Sequence, residues 1–341
     1  MVLLKLGVGL VLLLVAGDLL VRGAVVLARR AGISPLVIGL TLVGFGTSLP
    51  ELLASLQAAL IGAPGIAVGN VVGSNVANIL LILGTAALMF PVSCEAPGIR
   101  RDLGVLAFAT LAAIALLHWG QVPRSVGASL VAALLLYTGT AIFFDRREYA
   151  TVRLREEESR LADAMPPVRL GIAGALLLTI AAMAGVVVGA RFLVESSVIL
   201  ALRWGVSESL IGVTVVAVGT SLPELATSVV AAIKRESDVA LGNVIGSNIF
   251  NILGILGVTS AVSPIVVPAE ISGRDTWVLA LVTFALIGVV LGLKHIPRAL
   301  GFTFLVAYGV YITGLAGGLP DLPVDLPIDL PSLPSLPLPS F

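Results

Sequence analysis

The chain has 341 residues, 58% of them hydrophobic and 12% charged, with 20 basic and 20 acidic side chains. About a quarter of the residues of a soluble domain are charged, so this composition excludes an ordinary soluble protein, and zero net charge gives no basic surface for nucleic acid. Cys94 is the single cysteine, which excludes an intrachain disulfide and a Cys-based metal cluster.

Apolar segments broken by short polar or Gly/Pro stretches predict ten spans, at roughly 2–28, 34–61, 66–90, 100–118, 124–144, 170–194, 206–233, 239–262, 275–293 and 299–317. The first begins at Met1 without an Ala-x-Ala cleavage region, so it is expected to stay as a span. His118 and His295 fall at span edges, as interfacial residues. Asp145 to Arg169 carries Arg146, Arg147, Arg153, Arg155, Arg160 and four glutamates, and reads as a solvated loop, in part helical. From 319 to 341 Leu-Pro repeats around Asp321, Asp325 and Asp329; prolines at that density remove donors and forbid helix, so an extended, disordered tail is expected.

Odd-numbered gaps between spans hold most of the lysines and arginines, including Arg29, Arg30, Arg100, Arg101, the arginines of 145–169, Lys234, Arg235, Lys294 and Arg298. Positive loops stay in the cytoplasm, so a multi-pass protein of the cell inner (plasma) membrane is expected, with both termini outside and the central loop inside. Cys94 then faces a reducing compartment.

Residues 33–84 align without a gap on 206–257, at a constant offset (224 − 51 = 173; 251 − 78 = 173), with about half of the positions identical. Five spans precede the second copy's first span, so the copies enter the membrane from opposite sides, as in secondary transporters built from inverted repeats. The expected architecture is an all-α membrane protein of ten transmembrane helices in two inverted five-helix repeats. Residues 1–144 form the first repeat, 145–169 a cytoplasmic loop, 170–318 the second repeat and 319–341 the tail. Asp18 and Arg22 answer to Arg191 and Glu195 with signs reversed; each is read as a structural i, i+4 ion pair.

Each copy carries Gly-Thr-Ser-Leu-Pro-Glu, at 46–51 and 219–224, near mid-span. Proline lacks an N–H and clashes one turn back, so Pro50 and Pro223 should break their helices. Such a break is tolerated in a bilayer where it lines a cavity or binds an ion. Glu51 and Glu224 are carboxylates at midplane, costing roughly 2.5–3.5 kcal/mol each on insertion scales, and no basic residue shares their span regions, which implies a mobile countercharge. Asn70, Ser74 and Asn78 form one helical stripe (copied as Asn243, Ser247 and Asn251), and Thr47, Glu51 and Ser55 form another. Facing each other, twice over, they give an oxygen-only pocket suited to hard cations such as calcium and unsuited to zinc or copper. Gly69, Gly73, Gly84 and their copies read as close-packing residues.

On these motifs, with Gly73-Ser74-Asn75-Val76-Ala77-Asn78 and Gly246-Ser247-Asn248-Ile249-Phe250-Asn251, the chain resembles the cation/calcium exchanger superfamily, and within it the prokaryotic sodium/calcium exchangers, over spans 1 to 10. The resemblance implies alternating access with spans 1 and 6 sliding, and calcium held between Glu51 and Glu224 with the backbone oxygens of Thr47 and Thr220. It implies sodium on the same glutamates with Ser48, Ser221, Ser74, Ser247 and the Ala217 carbonyl (Gly44 in the other copy), Asn78 and Asn251 completing the centre. Several members carry Asp at the position of Asn251, which bears on stoichiometry and on proton or potassium coupling.

The expected function is therefore sodium-for-calcium antiport across the lipid bilayer. The alternative on the same scaffold is a proton/calcium or other divalent antiporter. No cofactor, nucleic acid or obligate protein partner is expected. An enzyme is not expected either: an intramembrane hydrolase using Ser48 or Ser221 needs a base beside the nucleophile, and both histidines belong to other spans.

Overall fold

The computed structural model describes residues 2–157, 171–203, 217–267 and 274–317. They form helices α1 (Val2–Ala31), α2 (Pro35–Thr47), α3 (Leu49–Leu60), α4 (Pro64–Met89), α5 (Ile99–Trp119), α6 (Arg124–Glu157), α7 (Ile172–Arg203), α8 (Ala217–Thr220), α9 (Leu222–Ile233), α10 (Ser237–Val262), α11 (Thr276–Gly292) and α12 (Arg298–Gly317). Two-residue strands β1 (Val92–Ser93), β2 (Gln121–Val122), β3 (Ile265–Val266) and β4 (His295–Ile296) sit in the connections. Among the described residues six helices are long and apolar enough to cross a membrane, and α2 with α3 makes a seventh if that bent pair is one span. Leu222–Ile233 and Thr276–Gly292 are apolar but shorter. The large apolar side chains at the periphery, among them Leu53, Phe108, Leu135, Leu136, Leu177, Leu281 and Val310, are exposed, as expected where the solvent is lipid.

α1 and α7 pack against each other along their length. At Gly9 a Cβ would lie 2.9 Å from the Gly189 carbonyl, so the two backbones nearly touch and only glycine fits. Asp18 accepts from Arg22 at 2.6 Å and Glu195 from Arg191 at 2.7 Å, as the i, i+4 spacing predicts. Each acid also reaches a distant lysine: Asp18 pairs with Lys234 at the end of α9, and Glu195 with Lys5 on α1.

The strands join residues far apart in sequence. β1 pairs antiparallel with β4 (Val92 opposite Ile296) and β2 with β3 (Val122 opposite Ile265). β1 precedes α5 and β2 follows it. A helix of 21 residues is about 31 Å long, so the two ribbons cap its opposite ends. β1 and β3 occupy corresponding places in the two sequence copies (92 + 173 = 265).

Helix bounds differ from the sequence expectation in one informative place. The helix expected to end at 144 continues to Glu157, and Asp145, expected in a solvated loop, is buried. It accepts hydrogen bonds from Ser34 N at 2.6 Å and Ser34 Oγ at 2.7 Å, while Ser34 Oγ accepts from Val37 N at the start of α2. The local run of charge concealed a carboxylate whose partner lies 111 residues away. The histidines do lie at element ends: His118 packs edge-on to Trp277 at 5.5 Å, and His295 is exposed in β4. The rest of the central segment (158–170), the start of the expected seventh span (206–216) and the Leu-Pro tail (319–341) lie outside the described residues.

Candidate ion-binding site

Both proline motifs break their helices. The backbone leaves helical geometry at Ser48 (φ −84°, ψ 8°) and at Ser221 (φ −91°, ψ 7°), with Pro50 and Pro223 in the first turn of the following helix. α2 and α3 are bent by 44° across the first break. Because Ser48 and Ser221 sit at the corners, their side chains leave the helix line and reach the opposite copy. Ser48 Oγ donates to Glu224 Oε1 at 2.7 Å, and Ser221 Oγ to Glu51 Oε1 at 3.3 Å. These reciprocal bonds bring the two glutamates, 173 residues apart in sequence, into one site. Both are buried, as are Thr47, Ser48, Ser74, Asn78, Ser221, Ser247 and Asn251.

The following helix in each copy holds its motif helix by an asparagine. Asn70 Nδ2 donates to the Glu51 carbonyl at 3.1 Å and to Ser55 Oγ at 2.8 Å. Asn243 Nδ2 donates to the Glu224 carbonyl at 3.3 Å and to Ser228 Oγ at 2.9 Å. The helical stripes in the sequence contain Asn70, Asn243 and Ser55, but the role differs from that of a ligand: both amides clamp backbone, fixing where the glutamates point. Thr47 Oγ1 donates to the Val43 carbonyl at 3.0 Å and approaches Asn243 Oδ1 at 3.3 Å. Ser247 Oγ donates to the Gly44 carbonyl at 3.2 Å, whereas Ser74 Oγ donates along its own helix to the Asn70 carbonyl at 2.6 Å. Ala217 opens α8, which ends at Thr220 just before the second break.

Asn78 and Asn251 each begin or enter a π-helical segment, Asn78–Leu83 and Phe250–Leu256. A third covers Gly39–Val43, just before the first broken motif. Such wide turns are common at functional sites because they turn side chains and carbonyls off the regular register. No proline or charge announces them in the sequence.

Four buried oxygens here have no hydrogen-bond partner: Glu51 Oε2, Glu224 Oε2, Asn78 Oδ1 and Asn251 Oδ1. Among the described residues no lysine or arginine pairs with either glutamate. Leaving buried acceptors unpaired costs roughly 1–3 kcal/mol for a neutral group and more for a charged one. Acceptors without donors, two of them on carboxylates, are the arrangement a cation relieves, and with serine, threonine and backbone oxygens nearby the donor set suits a hard ion taking about six to eight oxygens.

The glycines sort unequally. Gly246 packs so close that a Cβ would sit 2.1 Å from the Leu40 carbonyl, and at Gly84 it would sit 3.1 Å from the Gly301 carbonyl. At Gly73, the copy of Gly246, it would meet nothing within 4 Å. The close-packing role expected of Gly73 is thus not seen among the described residues; Val213, the copy of the Leu40 that crowds Gly246, lies outside them.

Residues 1–143 and 174–316 match the family described as sodium/calcium exchanger protein. The chain belongs to this family. It is an integral membrane transporter of the cation/calcium antiporter type. Relatives include the inner membrane protein YrbG of Escherichia coli, 39% identical over 287 residues covering 82% of this chain and 86% of that one. The sodium/calcium exchanger MaX1 of Methanosarcina acetivorans is 34% identical over 293 residues, covering 77% and 83%. Among solved structures, the sodium-calcium exchanger NCX_Mj soaked with 2.5 mM Na+ and 0.1 mM Ca2+ superposes with a TM-score of 0.78 at 32% identity, over 92% of this chain and 99% of that one.

Proposed function

We propose that this exchanger moves calcium against sodium by alternating access, through ten transmembrane helices arranged as two inverted five-helix repeats. The observation that carries the reading is the pair of buried glutamates, each held by the opposite copy's serine and each with one oxygen unpartnered. Two glutamates supply at most two negative charges, matching one calcium. Sodium ions on the same oxygens exclude it. Exchange rather than leak follows if each ion set must stabilise the carboxylates before access can switch. The ligands are Glu51, Glu224, the backbone oxygens of Thr47 and Thr220, the hydroxyls of Ser48, Ser74, Ser221 and Ser247, the Ala217 carbonyl, and Asn78 and Asn251.

Inversion is supported by the ribbons: corresponding strands β1 and β3 lie at opposite ends of α5. The orientation that fits the loop charges puts both termini outside and the central loop in the cytoplasm, in a cell membrane of the kind YrbG is named for.

Proteoliposomes loaded with sodium are diluted into sodium-free buffer with calcium-45. Uptake that collapses when the sodium gradient is removed is expected, and Glu51→Gln or Glu224→Gln should each lower it by about 100-fold or more. Uptake that ignores sodium and follows an imposed pH gradient would instead assign a proton/calcium antiporter.

A further inference from the structure

The site is symmetric where Ser48 and Ser221 meet the glutamates and where Asn70 and Asn243 clamp them. It is not symmetric one turn further along, at Asn75 and Asn78 and their copies Asn248 and Asn251 (75 + 173 = 248; 78 + 173 = 251). All four carboxamides are buried. Asn78 Nδ2 donates across the interface to Asn248 Oδ1 at 3.3 Å. A symmetric molecule would have Asn251 donate to Asn75. Instead Asn251 Nδ2 donates to Ser74 Oγ at 2.9 Å, and Asn75 Nδ2 turns back on its own helix, to the Val71 carbonyl at 2.6 Å. The unmatched contact leaves a mark on each side: Asn75 Oδ1 is buried without a donor, and Asn248 Nδ2 is buried without an acceptor.

A second asymmetry runs the same way. Every residue of the apolar stretch of α10 is buried, against 72% in α4. Leu53 of α3 is exposed whereas its copy in α9, Ala226, is buried, although Leu60 and its copy Ile233 are both exposed. The second copy's site helices are therefore the more enclosed, while both glutamates are buried.

We propose that Asn75 and Asn248 are positioning residues that act in turn, each holding the site amide of the opposite copy in one of the two access states. This inference rests on the alternating-access reading above. Here Asn248 holds Asn78, fixing the Asn78 side chain while its Oδ1 stays free for an ion, and the α9–α10 side is closed. In the oppositely facing state the copies exchange conformations, as inverted repeats permit. Asn75 then accepts from Asn251 Nδ2, releasing Ser74, and Asn78 moves onto Ser247. The exchange moves one orphaned carboxamide oxygen from Asn75 here to Asn248 in the other state and leaves the number of side-chain hydrogen bonds unchanged, so neither state is favoured by hydrogen bonds alone and bound cations can decide between them. Both residues sit beside the expected ligands without being among them.

The test is hydrogen exchange followed by mass spectrometry on the purified full-length protein, without calcium or sodium. It compares peptides from α3 and α4 with those from α9 and α10. Losing one such buried bond should bias a two-state equilibrium by about tenfold. Asn248→Ala should slow exchange in α3 and α4 and speed it in α9 and α10. Asn75→Ala should shift both regions the other way. Asn248→Ser and Asn75→Ser, which leave a smaller void, are run beside them, and the same opposite signs are required if an alanine variant does not fold. Shifts of the same sign in both variants, as a purely structural role would give, or no shift in either, overturn the proposal. Opposite shifts in a protein whose wild type shows no sodium-driven calcium flux would sink the ion assignment and leave the switch standing.

Discussion

In the first copy of the repeated segment Gly73 faces open space and Asn70 is half-buried; at the corresponding points of the second copy Gly246 lies against the Leu40 backbone and Asn243 is fully enclosed. The two stretches carry the same motif residues. What differs, among the described residues, is their surroundings: α2 lies across α10, and a Cβ at Gly73 meets nothing within 4 Å. A residue's tolerance to change is therefore set by what packs on it, and identical letters in a duplicated sequence need not carry identical constraints.

The sharpest way to break this comparison is at the glycines. Gly246→Ala drives a methyl into the backbone of Leu40 and should cost about 3 kcal/mol or more, read as loss of monodisperse protein or a large fall in melting temperature. Gly73→Ala replaces a helical glycine in open space and should be neutral or stabilising by roughly 0.5–1 kcal/mol. Equal damage from both would mean that the halves are packed alike.

Next is Asp145, which anchors Ser34 at the start of α2 and whose copy position holds Gly318. Asp145→Ala leaves a buried N–H and hydroxyl unpaired and should lower stability by about 1–3 kcal/mol. That is measurable as a lower melting temperature in detergent, with no equivalent lesion available in the second copy.

The clamps come third. Asn70→Ala and Asn243→Ala each free a glutamate carbonyl and a serine from the neighbouring helix. Both should weaken apparent calcium affinity, by about tenfold at the enclosed Asn243 and by less at Asn70, where water can substitute. An Asn70 effect equal to or above that of Asn243 would reverse the assignment of the open side.

The smallest effect concerns Cys94, buried beside the β1–β4 ribbon, its thiol pushed up to about 11 by burial. The thiolate is the reactive form, so maleimide labelling should be slow at pH 7 and rise steeply as pH climbs toward that value. Fast labelling at neutral pH would show that this end of the molecule opens.

Much of the site was readable beforehand because its signals are local. Pro50 and Pro223 break helices wherever they stand, and each break occurs within two residues of its proline. A glutamate in an apolar span demands compensation, and the oxygen stripes follow helical spacing. Asp145 reads as solvated because its neighbours in sequence are charged, whereas its partner is Ser34. The π-helical turns at Asn78 and Phe250 left no trace in composition.

Hydropathy, identity at a fixed offset and proline geometry act over a few residues, so the membrane class, the duplication and the two broken helices are legible in the sequence. Only the tertiary structure decided that Ser48 serves Glu224 and Ser221 serves Glu51, that Asn70 and Asn243 hold backbone, and that the carboxamides beyond them are paired on one side alone. Those choices depend on which atoms meet across the interface between the copies, and a sequence whose two halves read alike carries no local mark of which half is closed.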